Sequence, residues 1–141
     1  MIEGVKLVEV PRFEDDRGRL IQIFEENENL PKIRRMYLVK NWSKDTVRAF
    51  HKNYDETKCF FVISGAVKFV LFDDRPESPT YREVAKFILT ADDPKILVVP
   101  AEVHNGWKAL TADTLLLGTA DTLMSEHKDV RVPQDSFGEK W

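Results

Sequence analysis

The sequence predicts an all-β domain, an antiparallel sandwich or barrel with little helix. Two observations carry this. Apolar residues recur with the two-residue period of strands in short segments spread along the whole chain. Turn residues separate those segments at close, even spacing, and no segment carries a sustained helical stripe with caps.

The elements follow in order. "KLVEV" from Lys6 alternates, and "DDRG" at Asp15–Gly18 turns the chain into "RLIQIF". "FEENENLPKI" has room for one short helical turn ended by Pro31. "RRMYLV" from Arg34 and "TVRAFH" from Thr46 are strand-like, as are "KCFFVI" from Lys58 and "AVKFVLF" from Ala66. Ser64-Gly65 lies between these last two, and predicts a tight hairpin joining two paired strands. "DDRPESP", "ADDP" and "PAE" then punctuate "REVAKFIL", "KILVV" and "TLLLGT".

The bulk numbers set limits. With 141 residues, 43% of them hydrophobic, residues 1–141 make one domain with one core. Charged residues are 32% of the chain and the formal net charge is −3, which gives no general attraction to nucleic acid or to an anionic membrane. The single cysteine, Cys59, lies in an apolar run and is expected to be a buried small hydrophobe. The start has no basic region followed by an apolar stretch, and no apolar run reaches the roughly 18–20 residues of a membrane helix. The expectation is a reduced, cytoplasmic, soluble protein.

His51 is the residue that most needs a role. It has the parity of Val47 and Ala49, and Lys58 has the parity of Phe60 and Val62, so both can face the inside of a barrel. Packing, metal binding and acid–base work are all open to it. Metal-binding cupin barrels use a His-x-His pair, a following glutamate and a later histidine. In the register set by Gly65, the second histidine position holds Asn53 and the glutamate position holds Lys58. Two of four donors are lost and one becomes a cation, so no metal is expected. A histidine base beside a lysine suits proton abstraction next to a ketone, where an enolate needs positive charge. Arg17, Arg48 and Lys58 suit a phosphorylated substrate.

"FEDDRGRLIQIF", "VKNWSKDTVRAFHK", "KCFFVISGAVKFVLFDDRPESPTY", "VVPAEVHNGW" and "FGEKW" occur here in an order that resembles the dTDP-4-dehydrorhamnose 3,5-epimerase family. The resemblance runs from about Val8 to Trp141. It implies a cupin-type jelly-roll barrel of two antiparallel sheets and a homodimer. It also implies a dTDP-linked 4-keto-6-deoxyhexose as substrate, with no metal and no redox cofactor.

Carried over by position, His51 matches the base and Lys58 the lysine beside the enolate. Arg48, Asn41 and Ser43 match substrate contacts, and Arg17 matches an arginine near the nucleotide phosphates. His104 matches a loop histidine, with Asn105 as competitor. The family's tyrosine acid falls on Leu116, which is expected to face the cavity, and the tail aspartate that orients the base has no match. Tyr54 and Tyr37 are the candidate replacements for the acid.

The resulting expectation is an epimerase or ketoisomerase acting on a dTDP- or other nucleotide-linked 4-keto sugar. One alternative is a barrel that binds a nucleotide sugar without catalysis. The other is a metal-dependent cupin.

Overall fold

Alternation along each strand sorts side chains onto two faces, and the fold closes two sheets over the shared apolar face. The structure, a computed structural model, describes residues 1–141. Its strands in chain order are β1 (Lys6–Glu9), β2 (Arg12–Asp15), β3 (Gly18–Ile21), β4 (Arg35–Lys40), β5 (Val47–Asn53) and β6 (Lys58–Ser64). They continue as β7 (Ala66–Asp73), β8 (Val84–Thr90), β9 (Lys95–Val99), β10 (Val103–Ala109), β11 (Leu115–Ala120) and β12 (Asp129–Arg131). There is no helix, and every pairing is antiparallel. One five-stranded sheet has the order β1-β9-β6-β11-β4, and the facing one has the order β12-β5-β10-β7-β8. This is the all-β jelly-roll barrel the sequence predicts, with a separate hairpin, β2–β3, added to the two sheets.

The core is made by the inward positions of both sheets. Phe60, Val62 and Leu116 of the first sheet meet Phe69, Leu71 and Trp107 of the second. A smaller cluster around Cys59, Phe61 and Ile96 lies on the outer face of the first sheet, under Val10, Phe24 and Leu30. Cys59 is fully buried there, and burial pushes its thiol up to about 11.

Three sequence expectations are corrected. Ser64-Gly65 does not make a hairpin: β6 lies in the first sheet and β7 in the second, so the turn carries the chain from one sheet to the other. Alternation is the same for a corner as for a hairpin, so the flanking runs could not tell the two apart. The corner is held from the β10–β11 connection, where Thr111 Oγ1 accepts from the Ala66 amide at 3.1 Å and Asp113 accepts from the Ser64 hydroxyl at 3.2 Å. Gly65 has φ +78°, and a Cβ there would lie 2.2 Å from Thr111 Oγ1. Second, "FEENENLPKI" forms no helical turn: Asn27 caps its own loop, accepting from the Asn29 amide at 2.8 Å. Third, "VHNGWKA" is the long central strand β10 rather than a loop.

Candidate active site

Between the sheets, at the end where β4, β6 and β11 face β5, β10 and β12, the apolar core gives way to a cleft of about 350 Å³. His51, Lys58, Arg48 and Asn105 line it, together with Arg35, Tyr37, Asp129 and Arg131. Phe60, Val39 and Trp107 make its apolar floor.

A bulge is what gathers these residues. His51 pairs with Asn105, but Arg48, three residues earlier, pairs with Trp107, two residues later on β10. The register shift gives Arg48 the same face as His51, although their odd spacing would put them on opposite faces of a regular strand. Gly106 is needed at that point, because a Cβ there would lie 2.4 Å from the Ala49 Cβ. Arg48 is then held by Asn41, whose Oδ1 accepts from its Nε at 3.0 Å, and by the Trp107 ring, 5.8 Å from Cζ to centroid. Asn41 is itself buried and donates to Thr114 Oγ1.

His51 is half-buried, and its main chain carbonyl accepts from Asn105 Nδ2 at 3.0 Å. Burial lowers its pKa. Asp129 pulls it back up, and Lys58, Arg131 and Arg48 push it down again. The ring is therefore neutral at neutral pH and able to accept a proton. Asp129 is on β12, opposite Asn53, and Arg131 is opposite His51 itself. Arg131 Nε donates to Asp129 Oδ2 at 2.7 Å.

Lys58 sits over a fully buried carboxylate, Glu56. Nζ is 3.7 Å from Glu56 Oε1. Arg35 donates to the other oxygen at 3.2 Å, and the Thr122 hydroxyl donates to it too. With its amide oxygen turned inward, Asn53 accepts from Lys58 Nζ at 3.1 Å. Burial lowers the Lys58 pKa against the opposing pull of Glu56 and Asp129. The result is a fixed ammonium beside a neutral imidazole, in a cleft lined by three further arginines. Such a cleft can take a proton from carbon, hold the resulting enolate and attract an anion.

The remaining sequence candidates lie elsewhere. His104 is on the outer face of β10, away from the cleft. Its Nε2 is 3.2 Å from Asp74 Oδ2, and its ring meets Phe72 and Phe137. Strand parity decides this, since Asn105 takes the inward position and lines the cleft. Tyr54 follows β5, is exposed, and stacks under Lys52 at 5.2 Å. Ser43 is exposed in the β4–β5 loop, where its carbonyl accepts from Thr46. Arg17, at the tip of the β2–β3 hairpin, is exposed and bidentate to Asp15. Leu116 does point between the sheets, but it is 1% exposed within the core and not on the cleft wall.

Sequence reasoning missed Arg35, Asp129 and Arg131 as site residues. Arg35 shares the inward parity of Tyr37 and Val39 and could have been found that way. β12 is three residues long and gives no periodic signal. No three His, Cys, Asp or Glu side chains converge in the arrangement a metal ion requires.

Fold and cleft define a class: a jelly-roll barrel with a neutral imidazole, an ammonium and several guanidinium groups converging on an apolar floor. The chain belongs to the dTDP-4-dehydrorhamnose 3,5-epimerase family, whose family model matches residues 1–141. It is 30% identical to the spore coat polysaccharide biosynthesis protein SpsL of Bacillus subtilis (strain 168), covering 100% of this chain and 97% of that one. The dTDP-4-dehydrorhamnose 3,5-epimerase of Bacillus anthracis, solved with TDP and pyrophosphate bound, is 26% identical over 94% of this chain and 80% of its own, with a TM-score of 0.84. A dTDP sugar isomerase from Desulfovibrio desulfuricans G20 shares the fold, with a TM-score of 0.87 at 24% identity over 96% of this chain and 87% of its own.

Proposed function

We propose that the protein epimerises a dTDP-linked 4-keto-6-deoxyhexose, with His51 removing the proton from a carbon next to the ketone. The observation that carries this is the pairing of a neutral, half-buried His51 with the buried ammonium of Lys58 in one cationic cleft. Breaking the C–H bond sends its electron pair into the carbonyl, and the oxygen charge that develops needs a fixed positive partner. Lys58 provides one without reorganisation, because Glu56 and Asn53 already hold it. Arg48 and Arg131 suit the diphosphate, and the Phe60–Trp107 floor suits the sugar methyl group and the base. Family membership and the TDP bound to the Bacillus anthracis relative support the nucleotide. The SpsL relative supports a place in polysaccharide synthesis.

A homodimer belongs to the same reading. Arg17 stands at the end of a hairpin that joins neither large sheet, with Phe13 and Leu20 exposed along it. Edge strand β4 leaves Met36 and Leu38 exposed, although β2–β3 could cover them in a second copy. In such a pair Arg17 would reach the phosphates of the partner's cleft.

The test is proton NMR in deuterated water with dTDP-4-keto-6-deoxyglucose. Wild-type protein is expected to exchange the proton at C3 or C5. His51→Asn keeps the shape of the ring's edge and should abolish exchange, while leaving dTDP affinity within roughly tenfold, about 1.4 kcal/mol. Wild-type dTDP binding without exchange would instead establish a binding barrel.

A further inference from the structure

The reaction above must return a proton to carbon, and the strand that faces the centre of the cleft has no side chain there. Gly118 of β11 lies between Tyr37 of β4 and Phe60 of β6. A Cβ built on Gly118 would lie 2.3 Å from both Cε2 and Cζ of Tyr37, and 2.6 Å from its Oη. The phenol therefore lies across β11, in the hollow the glycine leaves, with its hydroxyl over that strand. Tyr37 lines the cleft and is half-buried there. The next inward positions along the same sheet are Lys58 and Ala120, which pair with each other.

We propose that Tyr37 is the proton donor of this reaction, presenting its hydroxyl over Gly118 from the neighbouring strand. The inference rests on the epimerase reading. His51 takes the carbon-bound proton, and the C–H electron pair moves into the carbonyl to give an enolate held by Lys58. The enolate pair then re-forms the ketone as the same carbon takes the phenolic proton. The O–H bond breaks and a C–H bond forms. The phenolate left behind lies near Arg35 and regains a proton from water, while His51 releases its own to water.

The placement also decides the outcome at carbon. His51 stands on the second sheet and Tyr37 on the first, so they approach the sugar from opposite walls of the cleft. Removal from one face and delivery to the other inverts the centre. A shuttle through His51 alone returns the proton to the face it left. Burial, and next Glu56, push the phenol up to about 12 against the opposing effect of Arg35, so the hydroxyl is protonated across the neutral range.

The experiment is Tyr37→Phe, assayed with dTDP-4-keto-6-deoxyglucose in deuterated water by NMR. The ring still fills the hollow over Gly118, so the fold is preserved, and circular dichroism melting checks this. Epimer formation should fall by roughly 10²–10⁴-fold, the usual contribution of a general acid. Deuterium exchange with retention at the same carbon should continue within about threefold, because the base is untouched. Gly118→Ala, which displaces the ring, should depress epimer formation in the same way. Epimer formation by Tyr37→Phe at the wild-type rate overturns the inference and leaves the epimerase reading intact. A wild-type protein that exchanges but never inverts overturns this inference and the epimerase reading together, leaving only proton abstraction by His51. Absence of exchange in the wild type is the separate failure of the epimerase reading, and with it this inference falls.

Discussion

His51 is tuned by groups of opposite sign, so single substitutions should move it in opposite directions. Asp129 is the carboxylate that favours its charged form, while burial and Lys58 favour the neutral form. A base works only when neutral, so the acidic limb of the exchange rate follows the His51 pKa. Asp129→Asn removes the stabilising anion. The limb should move to lower pH, and the plateau should fall because the ring becomes a weaker base. Lys58→Met removes a cation, so the limb should move to higher pH. It should also cost on the order of 10²–10³ in rate through loss of the group facing the enolate. A pH–rate profile of exchange for both variants is the measurement, and limbs that shift in the same direction would refute this account of His51. The sequence made His51 and Lys58 visible through parity. It hid Asp129, because the carboxylate that raises the His51 pKa comes from a three-residue strand with no periodic signal.

At the scale of elements, the site depends on one irregularity that alternation cannot express. Parity alone puts Arg48 on the outer face of β5, yet the bulge against β10 brings it inward beside His51. Gly106 has no room for a side chain: an added Cβ would lie 3.0 Å from the Ala49 Cα as well as 2.4 Å from its Cβ. Backbone cannot yield as a flexible side chain can. Gly106→Ala should therefore lower stability by about 1–3 kcal/mol, as overpacking does. It should also weaken dTDP binding by shifting Arg48, measured by urea unfolding and by calorimetric titration. Unchanged stability and affinity would mean that the bulge does not set the position of Arg48. The same limit explains the Ser64-Gly65 corner. Strand periodicity fixes which residues face the core, but the partner of each strand is set by distant contacts such as Thr111 and Asp113.

Over the whole molecule, charge and packing are divided between the two faces of the second sheet. The chain carries a formal net charge of −3, yet its cleft is lined by Arg35, Arg48, Lys58 and Arg131, so the cleft's cationic character is local and invisible in the total. The opposite face of that sheet is covered by the last residues of the chain. Phe137 stacks on Phe72 at 3.9 Å and meets Phe50 edge-on, while Glu139 pairs with Lys86 at 2.6 Å and with Lys68.

His104 lies under this strap, 2% exposed, with Nδ1 buried and unpartnered and Nε2 on Asp74, which also holds Lys52 at 2.7 Å. Burial lowers its pKa from 6.5, Lys52 lowers it further, and Asp74 opposes both. The sign of the stability effect follows from that direction. The unfolded chain takes up a proton on this ring near pH 6.5 and the folded chain resists it, so unfolding gains protons as pH falls. Stability should be complete above about pH 6.5 and decline below it. The depressed carboxylates Asp73, Asp74 and Glu139 add their own losses only below their usual values of 3.8 and 4.5. His51, also lowered, contributes to the same upper window. Urea midpoints should therefore fall between pH 7.5 and pH 5 in the wild type. His104→Phe suits the aromatic neighbours and leaves Asp74 paired with Lys52. It should flatten much of that fall, with the remainder removed by adding His51→Asn. An equally steep fall in the double variant would show that the upper window belongs to other groups.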